Sequence, residues 1–310
     1  MLIPADESLR DEREVADLKK RPFVERAFFI WMEKKLKERM GFILKKSIIF
    51  VLSLFLIVIA GCGSSSAPKQ DSKVIKIAAS STPSGEILAN LKPGLAKKGI
   101  DLQIIEMSDY IKPNLALADK EVDANLFQHK PYLDKFAADG GLKLGAIANL
   151  FLAPLRVYSK QVKDLKDLPN GAIISIPSDP TNGGRALLVL EQAGVIKLRQ
   201  GAGLQATERD IAENPKNIKI KAIDAAQLPR SLDDVTASVI NTNFAVQAGL
   251  KPTKDAIFSE LSTSSYVNVL VVRTGDENRP EIKALAEALQ SPESKKFIDE
   301  KFKGDIIPVF

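Results

Sequence analysis

The residues best equipped for chemistry fall in three places. The stretch EVDANLFQHKPYLDKF, residues 121–136, gathers Phe127, His129 and Tyr132 around an expected strand-to-helix turn, and Tyr110 opens the helix before it. Phe127 and His129 alternate along the expected strand, so both side chains leave it on one face. Four such groups at strand ends can form a box for a ligand, or they can be ordinary core packing. In PSDPTNGGRALLVL, Arg185 is expected in the first turn of a helix, after small residues that leave backbone amides free for an anion. Arginine suits a carboxylate; pairing with a surface acid is the other reading. Asn241 in VINTNFA ends an expected strand, where an amide can donate and accept together. Asn268 in SSYVNVLVV lies inside an apolar strand, so it is either a ligand contact or a structural bridge.

None of the familiar catalytic constellations is present. The chain has one cysteine, Cys62, and one histidine. An intrachain disulfide is ruled out, and a multi-histidine zinc site lacks its ligands. There is no GxSxG, no phosphate-binding loop and no HExxH. Asp233 and Asp234, in PRSLDDV, read as a solvated pair in a helix-to-strand loop. The function class left standing is binding rather than catalysis.

Charge says little about a polyanionic partner. The net charge of the 310 residues is +5, but from Cys62 onward 32 Lys+Arg face 30 Asp+Glu. With no basic stripe interleaved with aromatics, a nucleic-acid partner has no support. Hydrophobic residues make up 45% of the chain, enough to bury a sizeable core.

Cys62 has a different logic. Lys45 and Lys46 precede SIIFVLSLFLIVIA, an apolar run that ends at Ala60, and Gly61-Cys62 follows. A positive start, a short apolar centre and small residues at a cleavage point describe an export signal. The run falls short of the ~20 apolar residues that span a membrane comfortably; an uncut anchor is the alternative. Ile59-Ala60-Gly61-Cys62 resembles the bacterial lipobox, in which cleavage leaves an acylated cysteine as the new N-terminus. More than one acyl chain is needed for stable anchoring, and a diacylglyceryl group would supply them. GSSSAPKQDSK then reads as a flexible tether. The expected segments are a signal at 40–61 and a lipidated, tethered 62–73. Residues 1–39, dense in charges of both signs, do not fit a signal, and a start at Met40 is expected; a genuine cytoplasmic extension is the alternative.

Several short elements must position these residues. Residues 74–80 read as a strand and 85–99 as a helix, with Ile87, Leu88, Leu91 and Leu95 at helical spacing and Gly99 as its stop. DLQIIEM is the next strand, 110–118 a helix, 123–128 a strand and KPYLDKFAADGG a helix. NLFLAPLRVYS reads as strand-like, and three more strand-then-helix units follow before YVNVLVVR and two amphipathic C-terminal helices. This alternation implies parallel βαβ units. Two α/β lobes with a cleft at the strand ends is the economical arrangement, because ligands of open parallel sheets bind there.

The lipobox together with PNLALADKEVDANLFQHKPYL, PSDPTNGGRALLVLE, AAQLPRSLDDV and VINTNFAVQAGL resembles the methionine-binding lipoprotein family (NlpA/MetQ) over about 74–310. The resemblance implies a type II periplasmic-binding-protein fold, with two α/β lobes joined by two hinge strands. Lobe 1 is then expected at 74–153 and 245–310, and lobe 2 at 154–244. It implies a lipid-anchored, extracytoplasmic, monomeric protein that binds methionine of either chirality and passes it to an ABC importer permease and its ATPase, without a cofactor. Tyr110, Phe127, His129 and Tyr132 would surround the methionine side chain, Arg185 would take the carboxylate, and Asn241 and Asn268 would hold the backbone atoms. One departure stands out: the family's first loop commonly carries a Gly-Pro-His-type segment, where this chain has SSTPSGEIL. That loop is expected to border the site, so a methionine-containing dipeptide or another small amino acid is the alternative ligand. A surface lipoprotein with an adhesive role is the alternative function.

Overall fold

The computed structural model describes residues 73–263 and 265–310. The signal segment, Cys62, the tether before Lys73 and the expected start at Met40 lie outside the described residues. Strand β1 (Lys73–Ala79) leads into helix α1 (Glu86–Lys97), whose Ile87, Leu88, Leu91 and Leu95 are all buried, as their spacing requires. Then come β2 (Ile100–Glu106), α2 (Lys112–Ala118), β3 (Ala124–Leu126), α3 (Lys130–Gly140) and β4 (Leu144–Leu152). β1 pairs in parallel with both β2 and β3. Ile75, Ile77, Leu102 and Leu126 of these strands pack with Leu88 and Leu95 of α1 in the first core. Truncating Leu88 or Leu95 to alanine should cost about 2–5 kcal/mol.

NLFLAPLRVYS, read as one strand-like stretch, is two strands in different sheets. β4 ends at Leu152, the chain passes through Ala153, Pro154 and Leu155, and β5 (Arg156–Tyr158) joins a second sheet. Proline has no amide to offer a ladder, so pairing stops there. The second sheet adds β6 (Ile173–Pro177), after which come α4 (Pro180–Gln192) and a small separate hairpin of β7 (Lys197–Leu198) and β8 (Ile211–Glu213). β9 (Lys219–Ile223), α5 (Leu228–Ser231), β10 (Ala237–Ile240), α6 (Thr242–Gln247), α7 (Pro252–Asp255) and β11 (Ala256–Ser259) complete it. Its order is β11-β5-β10-β6-β9; β6 pairs in parallel with β9 and β10, and β5 pairs antiparallel with β10 and β11. Ala186, Leu187, Val189 and Leu190 of α4 close the second core over Ile174 and Ile176.

The chain then returns. β12 (Val267–Arg273) enters the first sheet antiparallel to β3 and β4, α8 (Pro280–Leu289) and α9 (Pro292–Phe302) follow, and β13 (Ile307–Pro308) pairs with β4. The first sheet therefore runs β13-β4-β12-β3-β1-β2. Two lobes and two passages between them result. The expected boundary at 244/245 is corrected in one respect. β11, placed with lobe 1 by that division, hydrogen-bonds to β5 in the second sheet, so the second sheet extends to Ser259. Among the described residues no helix is long and apolar enough to cross a membrane.

Candidate functional site

The ends of β3, β10 and β12 meet the start of α4 around one cleft. Tyr110, Phe127, His129, Tyr132, Arg185, Asn241 and Asn268 all line it, so every expected ligand-binding residue comes to a single place. The cleft measures about 360 Å³ including its open mouth, at the small end of the ~300–1,000 Å³ usual for small-ligand pockets.

One end is aromatic. The rings of Tyr110, Phe127 and Tyr132 form a triangle, with centroids 6.0, 5.9 and 6.2 Å apart. The carboxylate of Asp109 accepts the amides of Ile111 and Lys112, which fixes the chain around Tyr110 just before α2 begins. Tyr110 is therefore ahead of that helix rather than in its first turn. Its hydroxyl donates to Oδ1 of Asn243 at 2.6 Å, and the Tyr132 hydroxyl donates to the Tyr110 carbonyl at 2.8 Å. Burial raises the pKa of both phenols, so both stay protonated donors. With the hydroxyls engaged, the ring surfaces are what this end offers. Gln128, next to Phe127 in sequence, belongs to a set of buried amides: Asn114 and Gln128 exchange two hydrogen bonds, and Asn125 and Gln128 both donate to Oδ1 of Asn114.

His129 stands between the aromatic and polar ends. β3 stops at Leu126, earlier than expected, and His129 instead forms an isolated bridge with Asn268 of β12. Its Nδ1 accepts the Tyr132 amide at 3.1 Å. The proton is thereby assigned to Nε2, which donates to Oδ1 of Asn182 at 3.1 Å. Burial, and then the nearby Arg185 charge, pull the imidazole pKa down to about 3, so the ring is neutral at physiological pH.

Asn182 is the hub of the polar end. Its Oδ1 also accepts Nδ2 of Asn241 at 3.0 Å, and its Nδ2 donates to both oxygens of Asp179 at 3.1 Å. Asp179 caps α4 by accepting the Asn182 amide, and its burial raises the carboxyl pKa against those hydrogen bonds. Asn241 directly follows the last residue of β10, at the strand's end as expected, and its Oδ1 is buried with no hydrogen-bond partner among the described residues. An unsatisfied buried acceptor beside a cleft is suited to a ligand N–H.

Arg185 is in the second turn of α4, not the first. Pro180 is the first residue of the helix, and Asp179 already occupies its leading amides. The two glycines before it serve packing rather than anion capture. A Cβ on Gly184 would lie 2.6 Å from the Leu204 carbonyl, and one on Gly183 would lie 3.0 Å from that of Pro177. Nor is the guanidinium's partner a surface acid. Arg185 and Glu260 form a forked ion pair, Nε–Oε1 2.9 Å and Nη2–Oε2 2.5 Å, with 3% of each side chain exposed.

Sequence reasoning missed Gln128, Ala153, Asn182, Thr242 and Asn243 of the lining, and also Glu260 behind it. Asn182 and the Thr242-Asn243 pair sit inside PTNGG and NTNFA, next to residues whose types do stand out. Conversely, no residue of the first loop lines the cleft. That loop instead reaches the second lobe where Gln247 donates to the Ser81 hydroxyl. Arranged this way, the cleft can hold a small molecule with one apolar end and one end bearing both charge and N–H groups.

Comparison with known proteins points the same way. The profile of a family described as NlpA lipoprotein matches residues 75–310. A Vibrio cholerae protein named as a probable D-methionine-binding lipoprotein MetQ is 44% identical over 268 residues, covering 86% of this chain and 99% of that one. Among solved structures, a nutrient-binding protein from Burkholderia cenocepacia bound to methionine superposes with a TM-score of 0.74 at 48% identity, covering 76% of this chain and 100% of that one. A periplasmic substrate-binding protein of an ABC transporter from Coxiella burnetii gives a TM-score of 0.73 at 43% identity over the same 76% and 100%.

Proposed function

The chain belongs to the NlpA lipoprotein family, and on that premise we propose that it is a lipid-anchored solute-binding protein that captures methionine and delivers it to an ABC importer. The observation that carries this reading is the division of one cleft into a three-ring end and an Arg185–asparagine end. Methionine has the same division. Its thioether is soft and polarizable, and each sulfur–ring contact adds about 0.3–1.5 kcal/mol beyond burial. Its carboxylate would meet the remaining N–H groups of Arg185, and its ammonium would donate to the orphaned Oδ1 of Asn241, with Asn268 beside them. Leaving either charge unmatched in a closed cleft costs several kcal/mol. The task is binding and release, with no catalytic step.

Cys62 would carry the acyl chains that hold the protein on the extracytoplasmic face, and the residues up to 72 would tether the lobes to the membrane. The passage at Ala153–Leu155 and the one that begins at Glu260 would serve as hinges for closure about the ligand, and the closed form would be presented to the permease and its ATPase. Lobe 1 would comprise 74–153 with the C-terminal part from β12 onward, and lobe 2 the part between.

The test is calorimetry on protein unfolded and refolded to strip carried-over ligand. Methionine should bind in one-to-one stoichiometry, norleucine slightly more weakly, and methionine amide far more weakly. Equal affinity for methionine and its amide would remove Arg185 as the carboxylate partner. Absence of heat with any free amino acid, together with heat from a methionine-containing dipeptide, would reassign the ligand.

A further inference from the structure

Arg185 is the cation of the cleft, and most of its hydrogen-bonding capacity is already engaged. Nε donates to Oε1 of Glu260, and Nη2 donates both to Oε2 of Glu260 and to the Ala153 carbonyl at 2.9 Å. These bonds use the Nε proton and both Nη2 protons, which leaves Nη1. Glu260 itself does not line the cleft. It follows β11, where the chain leaves the second sheet, and it grips the other passage. Its Oε2 accepts the Leu155 amide, and its own amide donates to the Leu155 carbonyl, both at 2.9 Å. Tyr266, at the far end of the return passage, places its ring 4.5 Å from Cζ of Arg185.

We infer that Glu260 is a positioning residue for ligand capture: it aims Nη1 of Arg185 into the cleft and ties the carboxylate end of the site to both passages between the lobes. The inference rests on the reading that the cleft takes an amino acid with its carboxylate at Arg185. A ligand carboxylate cannot grip the Nε–Nη2 edge of the guanidinium, because Glu260 holds it. The ligand meets Nη1 alone, and the direction of that nitrogen is set by the carboxylate behind it. Glutamine at 260 is nearly isosteric but has one acceptor oxygen where three N–H groups converge, from Arg185 Nε, Arg185 Nη2 and Leu155. Its NH₂ would face donors, so the fork must open.

The experiment uses the full chain in detergent, stripped of ligand, and measures Kd for methionine and for methionine amide. The readout is the ratio of the two, because general damage to the cleft weakens both ligands in proportion. Glu260→Gln should lower the preference for methionine over its amide by about tenfold or more, as expected when a charge-assisted contact is misaimed. Glu260→Asp, which keeps two carboxylate oxygens, should restore part of it. An unchanged or increased preference in Glu260→Gln overturns the inference. A second measurement needs no variant: in the wild-type protein, the Nε proton of Arg185 should give a slowly exchanging resonance with and without methionine. Its loss on binding would show that the ligand takes the place of Glu260, and would overturn the inference while leaving methionine binding intact. Wild-type protein that binds no methionine would overturn the underlying reading, and the inference with it.

Discussion

His129 Nε2 lies 3.1 Å from Asn182 Oδ1, a bond between residues 53 apart in sequence that joins the edge of the first lobe to α4 of the second. The same Asn182 oxygen accepts from Asn241, so one amide sets the geometry of two proposed ligand contacts. Asn182→Ala should leave the His129 and Asn241 donors without their acceptor. The expected cost is about 1–3 kcal/mol of stability, with methionine affinity falling as well. Urea unfolding and calorimetry on the same variant check both. Unchanged affinity would detach Asn182 from the site.

The neutrality of His129 makes stability depend on pH. Its folded pKa is about 3 against an ordinary 6.5, so between these values the unfolded chain binds more protons than the folded one. The stability contributed by the neutral ring is fully present above pH 6.5 and is lost as pH falls toward 3, at a limiting slope of about 1.4 kcal/mol per unit. Urea unfolding at several pH values between 4 and 7 should show this slope, reduced in His129→Gln. Identical slopes would mean that His129 is not the group responsible.

The aromatic triangle should account for side-chain affinity. Phe127→Ala should weaken methionine binding by about 1–4 kcal/mol through lost burial and a new cavity. Norleucine, which keeps the shape and removes the sulfur, should lose only about 0.3–1.5 kcal/mol on the wild type. Titrating the two ligands in parallel distinguishes a box that recognises sulfur from one that recognises only apolar bulk.

Two glycines should respond in opposite directions. Gly184→Ala drives a methyl against the Leu204 carbonyl and should cost about 1–3 kcal/mol. Gly94 lies inside α1, and a Cβ added there would meet nothing within 4 Å. Changing it to alanine should gain about 0.5–1 kcal/mol. Thermal unfolding of the pair reads both signs.

Cys62→Ala should yield protein that is neither acylated nor cleaved before residue 62. Intact-mass analysis of membrane-extracted protein would show the uncut chain. An acylated, processed species from the variant would place the lipid elsewhere.

The fold was legible where local pattern and tertiary outcome agree. α1 announces itself through Ile87, Leu88, Leu91 and Leu95, and each βαβ step carries its own turn residues. The passage at Ala153–Leu155 was not legible, because apolar residues continue through it without a change of period and only the pairing partners differ. The strand β11 hid for the opposite reason: Ala256–Ser259 is short and only half-buried, so it lacks an alternating pattern. At the site, residue type made the rings and Arg185 conspicuous but left core packing and a surface ion pair open as readings; the family resemblance is what assigned them to a pocket. Their partners were not. Glu260 lies 75 residues from Arg185 in sequence, and nothing around it marks it as buried. The glycine pair was visible, but its reason, the close approach of the Leu204 carbonyl, exists only in three dimensions.

Calorimetric titration of the ligand-stripped full chain with methionine and methionine amide tests the central claim most directly. One-to-one binding of methionine, with the amide far weaker, is the expected result, since the cleft opposes Arg185 and the asparagines to a ring triangle. No binding of methionine, or equal binding of the two, would contradict it.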